Sequence, residues 1–368
     1  MTTIVRRPKV FGVGLIALDL VIGADAKLPV QSWAGGTCGN VMAILAYLGW
    51  NAFPIARMNG DPASDRVRAD LGRWGVQLDF TSCIPTGHTP IIIQQIRRDR
   101  DGFPTHRFLW SCPRCGQRLP SFKAVTQDAV EPVAAVLQGT AVFFMDRLSR
   151  AALTLAARAS ADGAIVVFEP SGKSDEKLFG EALQLAHIVK YADQRLSTAG
   201  DAMQSGNATL VEVQTLGAKG LRYRHRLGRG VSDWTHLDSI AAPRLVDTCG
   251  SGDWCTAGLL AKAAGGGRVG LRSGGQEAVH HALRYGQALA AWNCGFEGAR
   301  GGMYAFERQA FNNQVENLLK GRPSSPPVKV KAGPSASVAC PACPPDRPRI
   351  TRGRPTPTRR PSTKAHAA

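Results

Sequence analysis

Apolar residues along this chain follow two rhythms, short continuous runs and longer stretches at helical spacing. "KVFGVGLIALDLVIG" (9–23) opens as a buried strand. "GNVMAILAYLGW" (39–50) repeats apolar residues every three or four positions and predicts a helix that Gly49 stops. "FPIARMNG" (53–60) reads as a strand and "SDRVRADLGRWGV" (64–76) as a helix. "TPIIIQQIRR" (89–98) and "THRFLW" (105–110) are strands joined by the turn "DRDGFP". "TAVFFMD" (140–146) and "AIVVFEP" (164–170) are strands on either side of the helix "SRAALTLAARASADG". "AHIVKYADQRL" (186–196), "TLVEVQTLG" (209–217) and "GLRYRHR" (220–226) continue the strand series. "GDWCTAGLLAKAAGGG" (252–267) and "QEAVHHALRYGQALAAWNCG" (276–295) are long helices. This alternation predicts an α/β fold, a central mostly parallel sheet with helices on both faces. The consecutive strands near 90–110 break the alternation and predict an antiparallel flap. No repeat at a fixed period is present.

The formal charge of +17 raises the question of a nucleic-acid partner. Its distribution weakens that reading. Residues 320–368 hold eleven Lys and Arg against Asp346 alone, a net +10, so the other 319 residues carry only +7. The same segment holds eleven of the 23 prolines and few apolar groups. It reads as a disordered basic tail after a domain spanning 1–319, suited to weak polyanion binding or to a partner.

The nine cysteines are an odd number in a long chain, which argues against a disulfide framework and for a reducing cytoplasm. The first 26 residues have a basic patch and then an apolar run, as a signal peptide does. Asp19 interrupts that run, and Gly12 and Gly14 suit a strand end better. No uncharged apolar stretch is long enough to span a membrane.

Three motifs fail on inspection. "GVGLIA" (12–17) fits a dinucleotide fingerprint but runs into more apolar sequence and Pro29 instead of a helix. "SGKS" (171–174) lacks the P-loop's leading Gly, because position 167 is Val. His280 and His281 lie in a predicted helix with no third metal ligand in view.

"LVDTCGSGDWCTAGLL" (245–260) is the stretch that carries chemistry. A short strand end at Leu245–Asp247 meets a glycine turn, which feeds an apolar helix. Gly250, Ser251 and Gly252 lack bulk, so their N–H groups can converge on an anion at the positive end of that helix. Asp253 sits in the first turn, placed to accept the proton of an attacking hydroxyl. Held phosphate, positioned hydroxyl and base are the parts of in-line phosphoryl transfer. A plain glycine turn with an N-terminal helix charge would read the same way in isolation.

The surrounding motifs decide between these. Asp247-Thr248-Cys249-Gly250-Ser251-Gly252-Asp253 resembles the C-terminal signature D-T-x-G-A-G-D of the ribokinase-like (PfkB) carbohydrate kinases. Gly35, Gly36 and Asn40 match the N-terminal G-G-x-x-x-N, and Asp19 matches the acid of the first strand. Gly60 and Asp61 resemble the G-x-D region, and Thr215, Gly217 and Gly220 resemble T-L-G-x-x-G. The resemblance spans residues 8 to about 315. It implies a ribokinase-like sheet with a small β lid, from strands around 19–33 and 90–115. It implies Asp253 as base and Gly250, Ser251 and Gly252 as anion hole. Asp19, Gly35, Gly36 and Asn40 would face a sugar-like substrate. Thr215, Gly217, Gly220, Asp247 and Thr248 would border ATP, with Mg²⁺ bridging the phosphates. A homodimer through the lid is a further expectation, raised by the cysteine turn at 112–115. Sugar, sugar-acid, phosphosugar and nucleoside kinases share these signatures.

Two departures stand out. Where the family shows N-x-x-E, this chain has Ala192-Asp193-Gln194-Arg195. Glu169 and Ser171 replace an Asp and an Asn common in the family. The lost N-x-x-E keeps a second reading open, a weakened kinase-fold protein that senses a sugar or nucleotide.

Cys112-Pro-Arg-Cys115-Gly is a knuckle-like turn in the lid region. Structural Zn²⁺ wants four ligands. The rest would come from Cys340 and Cys343 in the tail, from a partner subunit, or from His88 and His106. Zinc, unliganded thiols and a redox pair all stay open. A zinc- and tail-based nucleic-acid binder is the reading from a third class.

Overall fold

The computed structural model describes residues 7–25, 29–113, 115–172, 175–196, 202–204 and 207–322. The chain starts in β1 (Lys9–Val13) and then leaves that sheet for β2 (Ala17–Ile22) and β3 (Gln31–Gly35). The run 9–23 opens as a strand, as expected, and divides into two strands in two sheets. Gly14 makes the break. Its φ is +153°, and a Cβ there would sit 1.7 Å from Asp146 Oδ1, so only glycine lets the chain turn past that carboxylate.

After β3 come α1 (Thr37–Tyr47), β4 (Asn51–Met58), α2 (Pro62–Arg73) and β5 (Thr81–Cys83). Asp61 caps α2, its Oδ1 accepting the Ser64 N–H at 2.8 Å. The lid resumes with β6 (Ile91–Arg98) and β7 (Pro104–Leu109). The main sheet continues through α3 (Val130–Ala134), β8 (Val142–Met145), α4 (Arg150–Ala161), β9 (Ile165–Phe168), α5 (Glu176–Leu185), β10 (Ile188–Ala192) and β11 (Val211–Thr215). It closes with β12 (Leu221–His225) and β13 (Thr235–Leu237), followed by α6 (Ser251–Ala263), α7 (Gly267–Asn293), α8 (Gly301–Ala305) and α9 (Arg308–Leu319).

The main sheet has the order β13-β12-β11-β10-β9-β8-β1-β4-β5, parallel except at β12 and β13. The four-stranded lid has the order β3-β2-β6-β7, with β2 and β6 parallel. The alternating pleat sorts the apolar runs into two cores. Val10, Val142 and Phe144 face one core with α1, α6 and α7. Phe11, Phe143 and Met145 face the other with α4 and α5. Both faces are covered, which is why these strands read as unbroken apolar runs.

Helical geometry in α7 is interrupted at Gly275 (φ +65°), so the helix expected from Gln276 starts just after a break. An extra segment from Gly267 precedes it. Helices α6 and α7 touch backbone to backbone, since a Cβ on Gly258 would lie 2.5 Å from Gly286 Cα. That contact fixes α6, whose N-terminus carries Asp253.

Candidate active site

No strand forms at Leu245–Asp247, contrary to expectation. The segment is held instead by α7's end, where Cys294 O accepts the N–H groups of Val246 and Asp247 at 2.8 and 3.2 Å. Gly250 then adopts φ +77°, and a Cβ on it would lie 2.4 Å from Ala299 O. The glycine is required by both conformation and space. Ser251 N donates back to Thr248 O at 3.3 Å, which leaves the first-turn N–H groups of Gly252 and Asp253 at the positive end of α6.

Asp253 Oδ2 accepts a 2.7 Å hydrogen bond from Asn40 Nδ2 on α1. The N- and C-terminal signatures, 213 residues apart, therefore meet in one hydrogen bond. Burial pushes the Asp253 carboxyl up to about 8, with the Glu169 carboxylate adding to the rise. The Asn40 bond and the cations Lys190 and Arg195 work against it. Lys190, from β10, is 2% exposed and lies 2.7 Å from Glu169 Oε1, just past β9. Glu169 Oε2 takes a hydrogen bond from Thr256 Oγ1 on α6 at 2.5 Å. A Cβ on Gly252 would come within 3.7 Å of Lys190 Nζ and 3.8 Å of Glu169 Oε1. The ion pair thus borders the expected anion hole. Burial opposes charge on Lys190, but Glu169 holds its ammonium above the usual lysine range.

The expected sugar-facing residues gather on the lid side. Asp19 on β2 pairs with Trp33 on β3. Its carboxylate fills the space over Gly35, where a Cβ would be 1.8 Å from Oδ2. Burial pushes the Asp19 carboxyl up to about 7, while Arg300 and the Gly36 N–H lower it. Asp19 Oδ1 is buried and, among the described residues, has no hydrogen-bond partner. Gly36 (φ +76°) caps α1 and sits against Leu15 O, where a Cβ would be 2.4 Å away. Asp146 follows β8, accepts the Leu15 N–H at 2.9 Å and is pushed up to about 6 by burial.

Thr215, Gly217 and Gly220 lie at the C-terminal end of β11 and the turn after it. Asp193 N donates to Thr215 O at 3.0 Å, and a Cβ on Gly217 would be 3.8 Å from Gln194 Nε2. The segment that replaces N-x-x-E therefore lines the same turn. Asp193 Oδ1 accepts the N–H of Gln194 at 2.7 Å. Asp247 is 1% exposed and already saturated. Oδ1 accepts the Cys249 N–H at 3.0 Å, and Oδ2 accepts Gln94 Nε2 at 2.6 Å and the Gly298 N–H at 2.9 Å. Thr248 is exposed beside it.

A family profile described as pfkB family carbohydrate kinase matches residues 24–304. The chain belongs to that family. As a PfkB member it is a carbohydrate kinase, and its two signatures meet at Asn40 and Asp253. It is 24% identical over 292 residues to an ATP-dependent ribose-1-phosphate kinase of Halopiger xanaduensis, covering 77% of this chain and 89% of that protein. Among solved structures, Arabidopsis thaliana ribokinase complexed with ribose and ATP superposes with a TM-score of 0.64 at 18% identity. That match covers 86% of this chain and 99% of the ribokinase. An aminoimidazole riboside kinase of Salmonella enterica gives 0.60 at 20% identity, over 84% and 99% of the two chains. These superpositions establish the ribokinase-like fold.

The zinc expectation gains no support. No group of three or more His, Cys, Asp or Glu gathers as metal ligands among the described residues. Cys112 is buried and Cys115 exposed. His106 Nδ1 lies 3.7 Å from Asp247 Oδ1, and His88 Nδ1 lies 3.3 Å from Ser121 O, so the histidines are engaged elsewhere. Cys340 and Cys343, and nearly all of the tail, lie outside the described residues. No helix among the described residues is long and apolar enough to cross a membrane. Sequence reasoning missed Lys190, Arg300 and Gln94. A charge inside the apolar run "HIVKYA" was a signal for the first, since buried lysines need partners. Nothing local marked the other two.

Proposed function

We propose that this PfkB kinase transfers the γ-phosphoryl group of ATP to a hydroxyl of a sugar or sugar-like alcohol, with Asp253 as general base. The observation that carries the reading is Asp253 in the first turn of α6, bonded to Asn40 and beside the Lys190–Glu169 pair at Gly252. A carboxyl pushed up to about 8 by burial is matched to taking a hydroxyl proton near neutral pH. The Gly250–Gly252 turn receives the phosphoryl oxygens, where fixed N–H groups stabilise developing charge. Lys190 adds a fixed cation there. Thr215, Gly217, Gly220 and Thr248 border ATP, while Asp247 holds the loop through its protein donors. Mg²⁺ would accompany ATP and neutralise phosphate charge, and would need one or two protein carboxylates besides the phosphates. Glu169 and Asp193 are the carboxylates this chain offers, and Arg195 places a cation where the family carries an acid.

Asp19, Gly35, Gly36 and Asn40 receive the sugar. The unpartnered Asp19 Oδ1 supports this, since a buried acceptor left bare costs on the order of 1–3 kcal/mol. A substrate hydroxyl would satisfy it. Ribose is common to the names of the ribose-1-phosphate kinase, ribokinase and aminoimidazole riboside kinase, which favours a ribose-bearing substrate. Exposed Phe108 and Trp110, on and just after edge strand β7, support a lid-mediated homodimer. The cytoplasmic setting rests on the cysteine content. The test is Asp253→Asn, expected to lose transfer by about 10²–10⁴-fold while ATP still binds. Full activity in that variant would overturn the mechanism.

A sensor is the second reading, and Arg195 in place of the family's acid favours it. Sugar binding without ADP release, across sugars, sugar phosphates and nucleosides, would establish the sensor and remove the kinase mechanism.

A further inference from the structure

Behind the Asn40–Asp253 bond stands a chain of buried polar groups from three other elements. Asn40 Oδ1 accepts from Arg300 Nε at 3.0 Å. Arg300 precedes α8 and is 1% exposed. Its Nη2 donates to Asp70 Oδ2 on α2 at 2.8 Å and also to Ala34 O on β3. Asp70 is itself held, by the Ala34 N–H at 2.9 Å and by the Tyr304 hydroxyl at 2.8 Å from the same oxygen. Trp33 stacks on Tyr304 at 4.9 Å between centroids, closing the cluster from the lid. The guanidinium therefore has a fixed position set by α2, β3 and α8.

The position matters because of what an arginine is unable to do. A carboxamide offers a donor at one end and an acceptor at the other, and it can turn over to present either. A guanidinium only donates. With Arg300 Nε against it, the Asn40 amide must turn its oxygen to Arg300 and its NH₂ to Asp253. A protonated Asp253 would seek an acceptor at that point and finds a donor. The ionised form, which is the base, finds the partner it needs.

We infer that Arg300, anchored by Asp70 and Tyr304, is a positioning residue that locks the Asn40 amide with its N–H toward Asp253. It touches neither Asp253 nor the transferred group and acts through Asn40. The inference rests on the reading of Asp253 as the base. The other groups acting on Asp253 are Glu169 after β9, Lys190 on β10, Arg195 beyond it, and the thiols of Cys38 and Cys249. Arg300 bonds to Asn40 and reaches Asp253 only through that amide, while the carboxyls its charge acts on are Asp70 and Asp19.

The pH profile of kcat/KM tests this. Removing Arg300 alone would strand Asp70, so the main variant is Arg300→Met with Asp70→Asn, which removes both charges of that pair; Asp19, which Arg300 also lowers, loses that cation, and an effect through Asp19 would add to Asn40→Ala in the triple variant. Its acid limb should move to higher pH by roughly half to one unit, equal to a three- to tenfold loss of activity well below the limb. Asn40→Ala should move the limb by at least as much. The triple variant should match Asn40→Ala, since groups acting in series do not add. Should the double variant fail to fold, Asp70→Asn alone should give a smaller shift in the same direction. A limb at the wild-type position in whichever variant folds, or a triple variant shifted beyond Asn40→Ala, would overturn the inference. Asp253→Asn separates the two levels. If it retains transfer, the base assignment falls and takes this inference with it. If it is inactive while the Arg300 variants keep the wild-type limb, only the role of Arg300 is lost.

Discussion

Lys190 Nζ sits 2.7 Å from Glu169 Oε1, and this buried pair borders the N-terminus of α6 at Gly252. Neither charge is there for stability alone, because a buried ion pair roughly breaks even against apolar packing. On the proposed mechanism, an ammonium held there would stabilise the charge that builds up in transfer. Lys190→Met should lower kcat by about 10²–10³-fold. The same change leaves Glu169 without its charge partner and should destabilise the fold by about 3–5 kcal/mol. Combining it with Glu169→Gln should restore the melting temperature but not kcat. Recovery of both in the double variant would reduce the pair to a structural role.

With Asp253 as the proposed base, its ionisation should set a pH dependence of activity. Its carboxyl is pushed up to about 8, first by burial and then by Glu169. A base works only when deprotonated, so kcat/KM should rise with pH and level off above about 8. Glu169→Gln removes a like charge and should move that limb down. Lys190→Met removes a compensating cation and should move it up. Initial rates across pH for the three proteins check the signs, and shifts of the same sign in both variants would show that the limb belongs to another group.

The buried carboxylates also make unliganded stability pH-dependent. Asp253, Asp19 and Asp146 are raised to about 8, 7 and 6, from ordinary values of 3.8. A group whose folded value is raised stabilises the fold fully below its unfolded value, and that contribution is lost as pH rises through the folded value. His187 acts oppositely. It is lowered from 6.5 to about 4 by burial and by the Arg268 charge, so its contribution is present above 6.5 and lost as pH falls toward 4. The two effects oppose each other between about pH 4 and 6.5, and above that range the carboxylates act alone. Melting temperature should therefore fall from about pH 6.5 to 8.5, and Asp253→Asn should flatten the upper part of the fall. A melting temperature that rises over that interval in the wild type would contradict the assignment.

What the sequence made legible follows from how local each signal is. The strands of the main sheet are buried on both faces, so Val142–Met145 and Ile165–Phe168 stand out as apolar runs. The glycine turn into α6 is contiguous, and Gly250 needs both its positive φ and its lack of a side chain. Gly14 was legible as a strand end, but the reason it must be glycine was not, because Asp146 lies 132 residues away in sequence. Arg300 was equally hidden. It lies 260 residues from Asn40 and 230 from Asp70, and no pattern in "GARGGMY" announces a buried guanidinium. The C-x-x-C turn was the most conspicuous local motif, and its geometry joins neither the catalytic cluster nor a ligand set among the described residues.

Gln94 ties the lid to the loop that leads into α6 by a direct hydrogen bond. Gln94 on β6 is 2% exposed and donates to Asp247 Oδ2 at 2.6 Å, beside the Gly298 N–H on the same oxygen. Asp247 opens the turn that becomes α6, so the lid strand and the anion hole share a carboxylate. A hydrogen bond to a charged group is worth about 1.5–3 kcal/mol, and its loss strands a buried oxygen. Gln94→Leu should lower stability by about that amount and raise KM for the sugar more than it lowers kcat, because β6, which pairs with the Asp19 strand β2, loses its tie to the turn before α6. Gln94→Glu should be worse, since it sets a second carboxylate against a buried one. Gln95, the next residue, shares its side-chain bond with Arg97 on the exposed face, and Gln95→Ala should change neither quantity. Melting curves and sugar saturation kinetics on the three variants decide the matter. A Gln94→Leu protein with wild-type KM would mean that the bond stabilises the fold without setting the lid.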